Sequence, residues 1–306
     1  MTDIASLAER IGERFSALST EIGFCATHLQ RGETAAVNAD ALFPTASVFK
    51  VPVMVEVFRQ ADEGRFALSD RMTLAHADRS VGSGVLKELA DGLAPTVRDL
   101  LMLMIIISDN TATQMMLDLV GPESVTATMR RLGLADIHVV LRMPELFAHA
   151  YGLPPDPAPD FDKLKALGGT MKLDYGGLTF AASPRNTTST ARDMARLMAL
   201  IFEKRAGSAA ACEDMLAILQ AQQLRARVPR FLPTKAVGNK TGTFGGVRND
   251  AGLIMRGEGD TIAFALFTFD RTELPPGNSR LLGERDAPVT EAMAEVGWLL
   301  WTEFAA

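Results

Sequence analysis

Ser47 and Lys50, in the stretch Pro44-Thr45-Ala46-Ser47-Val48-Phe49-Lys50, have the types and spacing for covalent chemistry. A serine hydroxyl is a weak nucleophile until a neighbouring base takes its proton. Positions i and i+3 share a helix face, so a helix beginning near Ser47 lets the Lys50 amine reach back to the Ser47 oxygen. The free N–H groups of such a helix start favour negative charge developing beside them. By itself the pattern is weak, because a serine cap followed by a solvated lysine looks the same. Two later stretches change its weight. Ser108-Asp109-Asn110 follows directly on a long apolar run, and Lys240-Thr241-Gly242 ends an expected strand just before the Gly245-Gly246 hairpin.

The elements that must position these residues can be traced along the chain. Ile4, Leu7, Ala8, Ile11 and Phe15 fall at helical spacing and predict an amphipathic opening helix. A strand is expected over Gly23 to Leu29, with a second short one before Phe43. The helix carrying Ser47 should run to about Glu63 and stop at Gly64, its first turn loosened by Pro52. From Asp70 to Leu219 the pattern is mainly helical. Thr96 to Asp99 reads as a capping box opening a buried helix from Val97 to Ile107. Asn110 to Leu119 and the segment from Thr190 to about Lys204 are further helices. Met102, Met104, Met115 and Met116 read as core filler. Strand-like alternation returns at Ala236 to Lys240, Asp250 to Arg256 and Thr261 to Phe269, and a closing helix spans Val289 to Phe304. Tyr151 to Asp162 is proline-rich and, with Gly168-Gly169 and Gly176-Gly177, reads as a functional lid or a mobile insertion.

Composition narrows the classes. The 306 residues, 47% apolar and 22% charged, are ordinary for a globular protein with a large core. A balance of 31 basic against 37 acidic residues gives −6, which speaks against a nucleic-acid partner. Cys25 and Cys212 are too few for a disulfide framework or a zinc site and read as buried free thiols. His28, His76, His138 and His149 show no metal-ligand spacing. No secretory pattern opens the chain and no apolar run approaches the ~20 residues of a membrane span. A cytoplasmic location without membrane attachment is therefore the expectation.

The three motifs together, in this order, identify the chain as resembling the class A β-lactamases and penicillin-binding proteins. Asp91-Gly92, Thr96 to Leu100, Asp109 to Thr113 and Asn186 to Ser189 extend the likeness over most of the chain except about 148–182. The resemblance implies an α/β (α+β) fold: an antiparallel sheet flanked by terminal helices, plus a helical subdomain. One domain of 1–306 is expected, with the α/β part at about 1–65 and 220–306 and the helical part at about 66–219. It further implies that Ser47 is acylated and that Lys50 is its base or base partner, with an amine pKa lowered by burial and by Lys240. Ser108 would relay a proton to the leaving nitrogen, and Asn110 would bond the substrate amide. Lys240 and Thr241, with Gly242 between them and Thr243, would hold the substrate carboxylate. The backbone N–H groups of Ser47 and Thr243 would form the oxyanion hole. Arg248 matches a position where some members bind that carboxylate, though a solvated strand-edge charge is an equal reading. No cofactor and no metal is implied.

One stretch departs from the pattern. Class A enzymes carry a Glu-x-x-Leu-Asn segment whose glutamate activates the deacylating water. Here Met143-Pro144-Glu145-Leu146-Phe147 puts Met143 and Phe147 at the glutamate and asparagine positions, and neither side chain can take a proton from water. Three outcomes follow: a persistent acyl-enzyme, a substitute carboxylate (Asp156, Asp160, Asp162, Asp174 or a shifted Glu145), or an ester or amide cleaved with Lys50 serving both steps. The expected activity is β-lactam opening on Ser47 with slow deacylation. A serine esterase, amidase or D-amino-acid peptidase is the alternative enzyme, and a non-catalytic peptide or penicillin binder the alternative of another class. Phe244 is expected either to narrow the cleft or to pack the hairpin.

Overall fold

The computed structural model describes residues 4–168 and 170–304; Gly169 of the Gly168-Gly169 pair lies outside them. The chain opens with α1 (Ile4–Glu13), β1 (Glu21–His28), β2 (Glu33–Val37) and β3 (Leu42–Pro44), then α2 (Lys50–Asp62). The helical middle follows as α3 (Val97–Ile106), α4 (Asn110–Val120), α5 (Pro122–Arg131), α6 (Met143–Ala150) and α7 (Phe161–Leu167). After β4 (Thr188–Thr190) come α8 (Ala191–Phe202) and α9 (Ala209–Gln220). The chain closes with β5 (Val237–Phe244), β6 (Val247–Gly257), β7 (Asp260–Phe269) and α10 (Ser279–Thr302).

Five strands form one antiparallel sheet in the order β2-β1-β7-β6-β5. The sheet is covered on both sides, and β7 records this in its alternation. Ile262, Phe264 and Leu266 join Leu7, Ile11, Val296 and Leu300 in the core under α1 and α10. Ala263, Ala265 and Phe267 face the larger core shared with α2, α3, α8 and α9. The terminal helices therefore back the sheet, and the helical part packs on the other face. Cys25 and Cys212 are buried and unpaired. Among the described residues, no helix is long and apolar enough to cross a membrane.

Three differences from the sequence expectation bear on the site. First, β5 does not end at Lys240; it continues through Thr241 and Gly242 to Phe244, each residue paired with β6. The Lys-Thr-Gly triad is thus an edge-strand segment, and its glycine serves a packing contact described below. Second, β3 and β4 form a separate two-stranded sheet that ties the residues before Ser47 to those before α8. Three-residue strands are too short to show alternation. Third, α10 begins ten residues earlier than Val289, at Ser279. Asn278 caps it by accepting the Leu281 N–H, and its exposed first half runs through Pro288 without an apolar face.

Candidate active site

The Ser47 turn is set before its side chain is considered. Ala46 to Phe49 form a short 310 turn leading into α2, and Ala46 has a left-handed φ of +42°. With proline at position 52 unable to donate, the entry to α2 is wound tightly rather than as a full α turn. Three neighbours fix the turn. The Thr45 N–H and hydroxyl both donate to the Thr187 carbonyl, at 3.3 and 3.2 Å. Asn249 on β6 donates its amide to the Pro44 and Thr45 carbonyls, at 2.9 and 3.0 Å. Gly242 lets β5 lie against the turn, since a Cβ there would sit 2.5 Å from the Thr45 oxygen. The Ser47 N–H has no partner among the described residues, as a donor facing a ligand requires.

Two amines meet at one hydroxyl beneath this turn. Lys50 Nζ donates to Ser108 Oγ (3.0 Å), to the Ser108 carbonyl (2.8 Å) and to Asn110 Oδ1 (2.7 Å). Lys240 Nζ donates to the same Ser108 Oγ (3.0 Å) and to the Thr241 carbonyl (2.7 Å). Both lysines are wholly buried. Ser108 itself is held at φ +60°, a conformation uncommon for serine that aims its hydroxyl between the amines. Asp109 secures it from the next position, accepting the N–H groups of Val85, Leu86 and Ala112.

Burial sets the ionisation of this cluster. It drives the Lys50 amine well below the ordinary lysine range, the charge on Lys240 adds to the effect, and Asp109 opposes it. Lys240 is pushed down to about 7, first by burial and then by Arg227, with Asp250 opposing. Behind β5, burial lifts Asp250 to about 7 against the opposing bond from Asn239 and the charges of Arg227 and Lys240. A lysine so depressed is a usable base near neutrality. The expected direct contact is absent: Lys50 makes no hydrogen bond to the Ser47 hydroxyl, because its three donors are committed to Ser108 and Asn110.

Ser47, Ser108, Asn110, Thr241 and Thr243 all line one cavity of about 590 Å³. Gly242 lies behind it, against Thr45. Asn110 Nδ2 donates to the Val81 carbonyl at 2.8 Å, leaving one amide proton for a ligand. Arg248 fits neither sequence reading. It is 8% exposed, donates to the Gly245 and Val247 carbonyls, pairs with Asp286 of α10 and does not line the cavity. The strand register turns its side chain toward the α10 side of the hairpin. Arg227, which the sequence did not single out, is instead buried at the strand: it donates to the Gly242 and Asn249 carbonyls and to Thr243 Oγ1. It lies in a loop without periodicity, where nothing marks it out from Arg225.

The other wall is apolar. Met143 and Phe147, both nearly fully buried, line the cavity with Leu146 and Phe180. Phe244 does too, its ring 5.5 Å from Phe180 and 5.6 Å from Phe147. Phe244 therefore both narrows the cleft and packs the hairpin. The candidate substitutes for a deacylating carboxylate are engaged elsewhere. Glu145 accepts the Arg142 N–H, Asp160 caps α7, Asp162 bonds His76 and Asp174 accepts the Gly176 N–H. None of these, nor Asp156, lines the cavity; among the described residues that do, the only carboxylate is the exposed Glu88, at the end of the 310 turn Leu86–Glu88. His149 on α6 does not line it either. No group of His, Cys, Asp and Glu among the described residues could hold a metal ion.

Comparison with known proteins bears on the whole chain. A family model described as the beta-lactamase enzyme family matches residues 6–304. A β-lactamase structure from Sphaerobacter thermophilus is 30% identical, covering 99% of this chain and 98% of that one, with a TM-score of 0.76. The structure of PBP-A, 23% identical with a TM-score of 0.74 over 98% of this chain and 96% of that one, shares the fold. Beta-lactamase L2 of Stenotrophomonas maltophilia is 35% identical over 158 residues, 51% of this chain and 49% of its own length. The chain spans about half the length of the curated relatives it matches.

Proposed function

We propose, for a chain that belongs to the beta-lactamase enzyme family, that it is a serine hydrolase which opens β-lactams through an acyl-Ser47 intermediate and releases the acid slowly. The observation carrying this reading is the pair of buried amines on one Ser108 hydroxyl beside a cavity that also exposes Ser47.

In acylation, Lys50 in its neutral form keeps only two N–H donors and turns its lone pair from Ser108 to Ser47, and the Ser47 oxygen attacks the lactam carbonyl carbon as its proton passes to that amine. The carbonyl oxygen becomes an oxyanion facing the N–H groups of Ser47 and Thr243, each such donor contributing about 2.7–4 kcal/mol. When the C–N bond breaks, the nitrogen takes a proton from the Ser108 hydroxyl, which is replenished from either amine. The product is an ester of Ser47 and a free amine, with Lys50 neutral again when it is the donor. A substrate carboxylate is met by Thr241 and Thr243, the latter held in place by Arg227, while Lys240, wholly buried and not lining the cavity, acts on it by its charge alone.

Deacylation requires a water with a base beside it. Met143, Phe147 and Phe244 offer that water no base. Intact-mass spectrometry after mixing with benzylpenicillin should therefore show a long-lived adduct, absent in Ser47→Ala. Return to the free mass within one mixing time would refute slow release, and no adduct or turnover in wild type would refute the acyl-serine reading. A pure binder needs no depressed lysine next to a hydroxyl, so retention of this cluster favours catalysis.

A further inference from the structure

The cavity is much larger than the ring-opening chemistry requires, and it is asymmetric. Of its polar groups, Ser47, Ser108, Asn110, Thr241 and Thr243 come from the turn before α2, the α3–α4 junction and β5, and Ser83, Lys87, Glu88 and Lys165 also line it. A second, largely apolar part of the lining comes from α6 and from the insertion that follows: Leu146, Tyr151, Phe161, Leu164 and Phe180. Thr179 Oγ1 donates to the Leu146 carbonyl at 2.7 Å, and Asn186 ties the Thr179 and Ala181 carbonyls. These bonds close the insertion onto α6, so the hollow is a formed part of the fold. At the rim, Lys165 lies over the Phe161 ring, 5.4 Å from its centroid.

From this arrangement we infer that the preferred substrate carries an extended apolar acyl arm, alkyl or aryl, which lies in the hollow between α6, α7 and Phe180. This rests on the acyl-Ser47 reading and names its substrate class. A polar or short arm would leave Leu146, Leu164 and Phe161 facing a void, losing the contacts that an apolar arm supplies. A volume of about 590 Å³ is within the ordinary range for small-molecule sites that are mostly apolar with a few polar groups at one end. The hollow also explains the chemistry at Met143: an apolar residue there continues the lining from Phe147 to Leu164, where a glutamate would place a charge against the arm.

The test is a series of p-nitrophenyl esters (acetate, butyrate, hexanoate, octanoate, decanoate) assayed with the full chain, each corrected by Ser47→Ala. We expect kcat/KM to climb about threefold to fourfold per added methylene until the hollow is filled, and then to level off. Leu164→Phe should move the plateau to shorter chains and Leu164→Ala to longer ones; the opposite shifts guard against a misfolded variant being misread. Equal kcat/KM across the series, with hydrolysis still dependent on Ser47, overturns the inference and leaves the acyl-serine reading standing. Plateaus that do not move in two folded Leu164 variants overturn it as well. No Ser47-dependent hydrolysis of any ester, together with no penicillin adduct, overturns both.

Discussion

The floor and the far wall of one cavity are built on opposite principles. The floor packs two amines, a strained serine, Asn110 and a carboxylate cap into a network whose members hold one another. The wall, from Met143 to Phe244, is mostly aromatic and aliphatic contact, and Met143, Phe147 and Phe244 carry no proton-transfer group. The floor can take a proton from a hydroxyl and hand it to a leaving nitrogen. Under the proposed function, half of a hydrolytic cycle is preorganised, and the other half has been given over to packing and to room for a ligand.

The sharpest way to break this contrast is at the floor. Ser108→Ala removes the hydroxyl shared by Lys50 and Lys240, and we expect acylation of penicillin to slow by about 10²–10⁴-fold, read by the rate of adduct formation. A loss below about threefold would mean that the amines act without it. At the wall, Met143→Glu should raise the deacylation rate by about tenfold, a fraction of what a fully supported base supplies because Phe147 stays in place. An unchanged adduct lifetime would show that water is excluded by the whole lining and not by one residue.

Charge gives the next test. Lys240, pushed down to about 7, is cationic below that pH and neutral above it. The kcat/KM for a carboxylate-bearing β-lactam should therefore fall as pH rises through about 7, by up to about tenfold per unit, while a neutral ester lacks that limb. Identical profiles for the two would remove Lys240 from carboxylate binding. The smallest expected effect is structural: Gly242→Ala should cost about 1–3 kcal/mol because its Cβ meets the Thr45 carbonyl. Differential scanning calorimetry with a melting temperature unchanged to within 1 °C or so would show that the turn can yield.

The floor is legible in the sequence because its parts carry unusual chemistry at fixed local spacing. A serine three residues before a lysine, a serine after an apolar helix, and a lysine just before a hairpin survive translation into structure. What cannot be read is how distant segments share space. Arg227 gains its place only once β5 and the preceding loop pack together, and Arg248 loses the cavity because the strand register turns it toward Asp286. The insertion shows its prolines and glycines but not that Phe161, Leu164 and Phe180 converge on Met143. Helix α10 extends past Val289 for a related reason: its exposed first half has no face to bury, so periodicity is silent there.

The φ of Ser108 has a kinetic consequence. Because one oxygen sits between two nitrogens, protonating either changes the hydrogen bond available to the other, and their titrations merge. Inflections in a pH–rate curve will then be collective properties of the N–O–N bridge. Substituting either lysine should therefore shift the inflection of the other as well, the limb near 7 that Lys240 dominates included.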